Sequence, residues 1–362
     1  MPLGMYNELK ATIPLLANQS EDCLYLNIYV PGSGARGVEA PYAVAVWVAA
    51  AHEWGSGNAL DGAVLAARAH LLVVTLNYRI GLLGYLTAGA TDEVSLAGSA
   101  AALDVSAALA LVSCIRSRPL GALLGVDPPR ARFLAGWAPS VPRARDAPGQ
   151  APSRALHASE VFLEVTLAVV VTTTESYQFF SEEDVRHGFE EEHRSRILRT
   201  YVRNVYRYHR NEIFAAVRNE YTDWEKPIQH PINIRDATLE ALSDAAGAAP
   251  ALRLAQIHAR RGARTFFAHF AHQSKEADYP QRLGSVSGET LCYFLGLPLV
   301  GGLPLSPRNY SRNDVAVSEA TVALLAAFAK TGDPTPKGEE RHEGVTWPPY
   351  DLNTQQYLSI GE

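Results

Sequence analysis

One stretch decides the fold of this chain: Ser20-Glu21-Asp22-Cys23-Leu24-Tyr25-Leu26-Asn27-Ile28-Tyr29-Val30-Pro31. From Cys23 to Val30, aliphatic residues alternate with Tyr and Asn. A period of two places these two sets on opposite faces of a strand, so the run predicts a half-buried β-strand that ends at Pro31.

Strands and helices alternate in the segments that follow. Residues 42–48 and 71–76 are apolar runs without alternation, which predicts central strands covered on both faces. Residues 60–69 and 100–115 have helical composition, and the second helix is rich in Ala, Leu and Val. This order predicts an α/β fold with a mostly parallel sheet and flanking helices.

The second half of the chain repeats the alternation. Residues 161–171 and 265–270 are predicted strands, and residues 250–261 form a predicted helix that Gly262 closes. A further helix is predicted to begin at Ser311-Arg312-Asn313-Asp314 and to end at Gly332.

A helix over residues 211–224 is predicted to carry Ile213, Val217 and Tyr221 on one face. Trp224 falls on the same face of this predicted helix, and Pro227 is expected to stop it. An apolar face of this kind is typical of a helix that packs on a core.

Residues 127–160 interrupt the alternation, because closely spaced prolines and arginines cannot sustain a helix or a central strand. The junction at 139–160 is therefore predicted to be an irregular loop or linker.

Composition excludes several classes of function. The chain has 362 residues and a formal charge of −6, which argues against a nucleic-acid partner. His269 and His272 are three residues apart on a predicted strand and lack a third ligand, so we expect no metal site and no cofactor. The first ten residues lack the pattern of a signal peptide, and no apolar run reaches the roughly 18 residues of a membrane span.

The opening stretch resembles the signature of the cholinesterase and carboxylesterase family. Two further stretches share that resemblance: Thr75-Leu-Asn-Tyr-Arg-Ile-Gly-Leu-Leu-Gly-Tyr-Leu86 and Phe328-Ala-Lys-Thr-Gly-Asp-Pro334. The resemblance implies one α/β-hydrolase-like domain over 1–362, in which 15–138 and 161–362 form the two parts of the sheet and 139–160 joins them. It also implies positions for a Ser-His-acid triad. In the family a long helical region follows the nucleophile strand, so we interpret the junction at 139–160 as the place of a lost internal segment rather than as a genuine irregular loop.

The residues at those catalytic positions are degenerate. Ala138 stands in the nucleophile slot, and Pro139 after it removes a backbone N–H that the oxyanion hole needs. Glu175 keeps the acid slot, but Ser287 stands where the family has its base, and serine cannot act as a base near neutral pH. The early His-Gly-Gly-type loop is also lost, since His52 falls too late in the matching stretch. We therefore expect no catalysis.

Among family members without a working triad, the chain is most similar to neuroligins, invertebrate-type ones in particular. Matching runs include Val171-Thr-Thr-Thr-Glu-Ser-Tyr177, His230-Pro-Ile-Asn-Ile-Arg235 and Asp278-Tyr-Pro-Gln-Arg-Leu-Gly-Ser285. The resemblance implies a synaptic adhesion glycoprotein anchored in the plasma membrane, which binds neurexin-type partners with calcium at the interface.

The same resemblance assigns roles to other residues. Ile213, Val217 and Tyr221 would face a dimer seam, although the second helix of that seam would follow the last residues of this chain. Cys23 would pair with an upstream cysteine, which this chain does not contain. Asn18 and Asn309 begin Asn-x-Ser glycosylation sequons. A divergent carboxylesterase and a non-functional product of a misassembled gene are the alternative hypotheses.

Overall fold

The fold follows from a computed structural model of the chain. It describes these residues: 1–32, 41–49, 56–85, 113–126, 130–134, 136, 161–226, 229–301, 309–337 and 345–361. Residues 50–55 with His52, residues 86–112 with most of the helix predicted at 100–115, and residues 137–160 with Ala138 lie outside this set.

The first sheet has three strands: β1 Leu26–Tyr29, β2 Val44–Trp47 and β3 Leu72–Leu76. β3 lies in the middle, antiparallel to β1 and parallel to β2. Ile28 of β1 and Val46 of β2 both lie opposite Val74 of β3. The alternating run at 23–30 therefore contributes β1, which lies at one edge of the sheet formed by the described strands.

The second sheet is entirely parallel. It contains β4 Leu167–Thr172, β5 Thr265–Phe270 and β6 Leu358–Ile360, with β5 in the middle. Val171 of β4 lies opposite His269 of β5, so both strands end at the same edge of the sheet.

The helices connect and cover these strands. In chain order the α-helices are α1 Leu3–Thr12, α2 Ala63–Ala69, α3 Gly81–Tyr85, α4 Leu120–Leu124, α5 Val161–Glu164, α6 Glu182–His187, α7 Glu191–Val205, α8 Arg210–Glu220, α9 Pro231–Ser243, α10 Ala249–Arg260, α11 Thr290–Phe294 and α12 Arg312–Thr331. A π-helical turn, Asp244–Ala248, joins α9 to α10. Short 3-10 turns cover Ile13–Leu16, Gly57–Ala59, Tyr177–Phe179, Gln281–Leu283 and Leu297–Leu299. No helix in the described ranges is long and apolar enough to cross a membrane.

Helix α12 connects the cores of the two sheets. Its Val322 and Ala326 pack in one cluster with α2 and with Val73 of β3. Leu324 of the same helix packs with Phe266 and other residues of β5. The predicted ends are confirmed: Ser311 caps the first turn together with Asp314 in a capping box, and Gly332 ends the helix at φ +69°.

A third cluster holds the helices that follow β4. Ile197 and Leu198 of α7 are almost fully buried there against Phe214 of α8 and Leu239 of α9. Ile213, Val217 and Tyr221 are half-buried and pack against this cluster, which is the chain's own core. The role of these three residues in a dimer stays a prediction.

The strand around 42–48 was predicted to be covered on both faces, and the described residues cover only one of them. Val44 and Val46 are 54% and 56% exposed, whereas the opposite face of the sheet packs on α2 and α12. The exposed side carries seven aliphatic residues. Its members are Leu26, Ile28, Val44, Val46, Leu72, Val74 and Leu76.

Two predicted elements have different bounds. Residues 161–164 form the short helix α5 instead of the start of a strand, and β4 begins only at Leu167. The carbonyl of Phe162 contacts Nε2 of the buried His258 at 2.9 Å, which ties this turn to α10. Helix α8 ends at Glu220, so Trp224 lies beyond it, 69% exposed, with its indole N–H donating to the carbonyl of Asn219.

Candidate functional site at the ends of β4 and β5

The structure brings together the loops of Glu175 and Ser287, the residues predicted to stand in the acid and base slots. Beyond the end of β4, Thr174 forms an isolated parallel bridge with Val286. The N–H of Thr174 donates to the carbonyl of Ser285 at 2.8 Å, and the N–H of Ser287 donates to the carbonyl of Thr174 at 3.2 Å. The loops that carry Glu175 and Ser287 are therefore neighbours at the carboxyl edge of the second sheet.

Glu175 is turned back towards its own strand. Its Oε1 accepts the backbone N–H of Thr172 at 2.8 Å. The π-helical turn packs over it so closely that a Cβ on Gly247 would lie 2.8 Å from Cγ of Glu175. The carboxylate thus terminates β4, which is a structural use of the side chain.

Ser287 is half-buried beside this loop. A hydroxyl donates or accepts a hydrogen bond, but it does not take up a proton at neutral pH, so the side chain cannot serve as a general base. Gly288 follows at φ +91°, a backbone conformation that favours glycine.

A hydroxyl and an imidazole that the sequence did not connect meet at the same edge. Oγ1 of Thr173 lies 3.1 Å from Nε2 of His269. The N–H of Thr173 donates to Oγ of Ser285 at 3.1 Å, and the Ser285 hydroxyl donates to the carbonyl of Phe270. The available signal was positional, because Thr173 and His269 both lie at the carboxyl ends of adjacent parallel strands, where ligand sites commonly form.

His272 has a different partner. Its Nε2 lies 2.8 Å from Oδ1 of Asp314, which also accepts the hydroxyl of Tyr293 at 2.8 Å. Oδ2 of Asp314 accepts the backbone N–H of Ser311 at 2.7 Å. Burial by itself would raise the pKa of Asp314, but the hydrogen bonds from Ser311, His272 and Tyr293 outweigh it and lower the pKa to about 2.

The pKa of Tyr293 moves the other way. Burial raises the pKa of this phenol, and its hydrogen bond to the Asp314 carboxylate raises it further. The tyrosine is fully buried and therefore acts as a fixed neutral donor to the carboxylate. Within the described ranges no three His, Cys, Asp or Glu residues form a group able to hold a metal ion.

The nucleophile slot Ala138 lies outside the described residues, but the segment leading to it is partly described. Phe133 has φ +73° and packs edge-on against Phe179 and Tyr201 in the helical cluster. Asn204 of α7 donates to the carbonyl of Arg132 at 3.0 Å. Residues 130–134 thus lie against α7 and contribute no strand to either sheet.

The remaining predicted residues are separate from this edge. Cys23 is a half-buried free thiol, and the glycosylation candidates Asn18 and Asn309 are both exposed. The predictions that Cys23 pairs with an upstream cysteine and that the asparagines carry glycans stay predictions.

Comparison with known proteins assigns the family. The model of the carboxylesterase family matches residues 5–114 and 110–362. The chain belongs to the carboxylesterase family. It is also similar to Neuroligin-1 of Caenorhabditis elegans, with 30% identity over 96% of the chain, to human Neuroligin-2 with 25% identity over all of it, and to mouse Neuroligin-3 with 24%.

The chain is shorter than these relatives. It spans 58% of the nematode protein and 56% of human Neuroligin-2. The nematode alignment extends over 467 positions although the chain has only 362 residues. At least 105 aligned positions therefore have no residue in this chain. The loss of an internal segment at 139–160 stays a prediction.

Proposed function

We propose that this chain is part of a non-catalytic cell-adhesion ectodomain. The observation that carries the proposal is the position of Ser287: a side chain that cannot take up a proton stands beside the acid loop, where a hydrolase of this family needs its base. The similarity to several neuroligins supports the same function.

Two further features favour a protein without esterase activity. Ala138 in the nucleophile slot has no hydroxyl, and Pro139 after it has no N–H to donate to an oxyanion. One carboxylate oxygen of Glu175 accepts a hydrogen bond from the backbone N–H of Thr172. The triad thus lacks an attacking group and a base, and its acid has a structural partner.

The partner we propose is a neurexin-type cell-surface protein, bound with calcium at the interface between the two proteins. In the longer protein this part would stand at the surface of the synaptic plasma membrane as a glycoprotein, with Asn18 and Asn309 exposed for modification. A homodimer would bring α8 to its seam, and the exposed side of that helix leaves room for a partner.

Two measurements test the proposal. Biolayer interferometry should detect binding to an immobilised neurexin ectodomain in 2 mM calcium (about that concentration suffices for millimolar extracellular-type sites) and lose it in EDTA. A p-nitrophenyl acetate assay should give no turnover above the buffer rate. Calcium-independent binding, or saturable ester hydrolysis, would contradict the proposal.

A divergent carboxylesterase is the second candidate, because the structure pairs the Thr173 hydroxyl with the His269 imidazole. A hydroxyl within hydrogen-bond reach of an imidazole is the minimal element of nucleophilic catalysis. If hydrolysis is detected, Thr173→Ala and His269→Phe should abolish it. Loss with Ser140→Ala, and not with Thr173→Ala, would instead identify Ser140 as the nucleophile.

A further inference from the structure

Helices α7 and α8 form an antiparallel hairpin. Arg194, near the beginning of α7, donates hydrogen bonds to the carbonyl of Tyr221 at 2.7 Å and to that of Arg218 at 3.2 Å, both at the end of α8. Midway along the hairpin, the guanidinium carbon of Arg199 lies 4.0 Å from the ring centroid of Phe214. The end of α7 and the beginning of α8 therefore lie together at the closed end of the hairpin, where a short loop joins them.

Positive charge is concentrated at this closed end. From residue 193 to residue 211 the sequence contains six arginines and no Asp, Glu or Lys, although the whole chain has a formal charge of −6. The fold adds Arg132 from a distant part of the chain, because its carbonyl accepts a hydrogen bond from the side chain of Asn204 of α7 at 3.0 Å. The exposed arginines of this end form ion pairs with no carboxylate of the described residues. They are Arg132, Arg203, Arg207 and Arg210.

Two exposed tyrosines lie in the loop between the two helices. Tyr208 is 78% exposed, the largest exposure of any large apolar side chain in the described ranges, and Tyr206 is 39% exposed. His209, which follows, has φ +53°, a left-handed conformation that few residues other than glycine adopt. Strained backbone conformations of this kind cluster at binding and switch regions. These two tyrosines and the four exposed arginines are called the basic end below.

We propose that the basic end is a docking surface for an acidic segment of a partner protein. The carboxylates of that segment pair with the arginines, and its apolar side chains cover Tyr206 and Tyr208. A guanidinium group binds a carboxylate through two parallel hydrogen bonds, so unpaired arginines on a folded surface suit a ligand rich in carboxylates. This surface is additional to the neurexin-type interaction proposed above, and neither depends on the other.

Composition favours a protein over a sulfated polysaccharide or a nucleic acid as the ligand. Tyr and Arg are enriched at protein interfaces and Lys is depleted there, and the basic end contains no lysine. A long polyanion would also have to extend from this end along a protein whose net charge is negative and repels it. A short acidic segment avoids that repulsion, because it ends where the arginines end.

A second copy of this chain suits the basic end less well than a separate acidic partner. Acidic residues of the hairpin lie at its opposite end, where several already pair with a cation. Glu191 pairs with Arg218 at 2.9 Å and with Arg194 at 3.2 Å. Asp223 pairs with Lys226 at 2.6 Å. A second copy would therefore exchange existing ion pairs for new ones, whereas a separate acidic partner adds ion pairs to those already present.

Fluorescence anisotropy of the full chain with a labelled acidic peptide tests the proposal. The probe is a fluorescein-labelled synthetic peptide of Glu and Leu, in a buffer of about 50 mM NaCl so that exposed charges are little screened. We expect saturable binding that weakens at least about tenfold when NaCl is raised to about 300 mM. A peptide of the same length in which Gln replaces every Glu is the neutral control, and it should not bind.

Substitutions locate the binding on the protein. Arg203→Glu together with Arg207→Glu should weaken binding of the acidic peptide at least about tenfold. Arg253→Glu together with Arg260→Glu makes the same change of charge at exposed positions of α10, and it should weaken binding less than about twofold. Tyr208→Ala changes no charge but removes contact area, so it should weaken binding about threefold or more.

Thermal unfolding followed by circular dichroism verifies that each variant is folded. If the reversed pair at positions 203 and 207 does not fold, Arg203→Gln together with Arg207→Gln takes its place.

Four results would overturn the proposal. The absence of saturable binding to the acidic peptide would mean that the arginines form a solvated surface only. Equal weakening by the pair on α10 would mean that net charge, and not the basic end, attracts the peptide. Tighter binding of heparin than of the peptide, unaffected by Tyr208→Ala, would identify a polysaccharide as the ligand. Self-association that the pair at positions 203 and 207 abolishes would identify a second copy of the chain as the occupant.

Discussion

Asp314 offers the sharpest test of how this fold is stabilised. The carboxylate is 1% exposed and accepts hydrogen bonds from His272, Tyr293 and the backbone of Ser311. These bonds hold its pKa at about 2, below the ordinary value of 3.8. At about 1.4 kcal/mol per pKa unit, the ionised form contributes about 2 kcal/mol to the free energy of unfolding at neutral pH.

The sign of the pH dependence follows from the lowered pKa. Because the folded protein holds this proton more weakly than the unfolded chain, the contribution of Asp314 is complete above pH 4. It declines as the pH falls from about 4 to 2, with about half remaining at pH 3. Asp314→Asn removes the charge and turns an amide towards donors, which adds about 1 kcal/mol for an unsatisfied group.

Urea unfolding at pH 7 and pH 3 measures both effects. We expect Asp314→Asn to lose about 3 kcal/mol at pH 7 and about 2 kcal/mol at pH 3, because part of the wild-type advantage has then disappeared. Glu192→Gln, in an exposed pair with Arg196 at 3.7 Å, is the control and should change stability by less than about 0.5 kcal/mol. A loss below about 1 kcal/mol at pH 7, or an equal loss at both pH values, would refute this account of the network.

Two further predictions concern a buried cation and a strained turn. Arg194 is 1% exposed and donates hydrogen bonds to two carbonyl groups at the end of α8, at 2.7 and 3.2 Å. Arg194→Ala should therefore lower the free energy of unfolding, measured in urea, by about 3 kcal/mol. The control Arg196→Ala, at a side chain 69% exposed, should leave it almost unchanged. Equal losses would show that the buried guanidinium does not hold α8. Gly188→Ala should lower the free energy of unfolding by at least about 3 kcal/mol, because its φ is +73° and the new Cβ would lie 2.4 Å from backbone atoms of Pro231. Gly262→Ala, at φ +84° but with open space, should cost only about 1 kcal/mol, and a comparable loss at both glycines would contradict the steric part of the reasoning.

Elements with strong local signals were predicted closely from the sequence. Helix α10 was expected at 250–261 and lies at Ala249–Arg260, with Gly262 at positive φ just beyond it. Helix α12 begins at the predicted capping box and ends at the predicted glycine. Such signals act through hydrogen bonds between residues that are close in sequence, so they can be recognised without knowing the tertiary contacts of the helix.

Long-range contacts decided the features that the sequence left open or assigned wrongly. The helical face of Ile213, Val217 and Tyr221 suited a core or a dimer seam equally; these residues are half-buried against the chain's own core, and their role in a dimer stays a prediction. Residues 42–48 looked like a strand covered on both faces, yet nothing among the described residues covers Val44 and Val46. An apolar pattern predicts that a side chain is buried, but it does not predict which element covers that side chain.

The sequence by itself determined the α/β class and the signature strand β1. It also predicts catalytic slots without a nucleophile or a base, because alanine has no hydroxyl and serine does not take up a proton near neutral pH. Only the tertiary structure decided which loops meet: the bridge from Thr174 to Val286 brings the loops of Glu175 and Ser287 together. It also decided that Thr173 faces His269, 96 residues away in the chain. The physical reason is that strand pairing joins residues distant in sequence, and the register that selects them depends on the packing of the whole sheet.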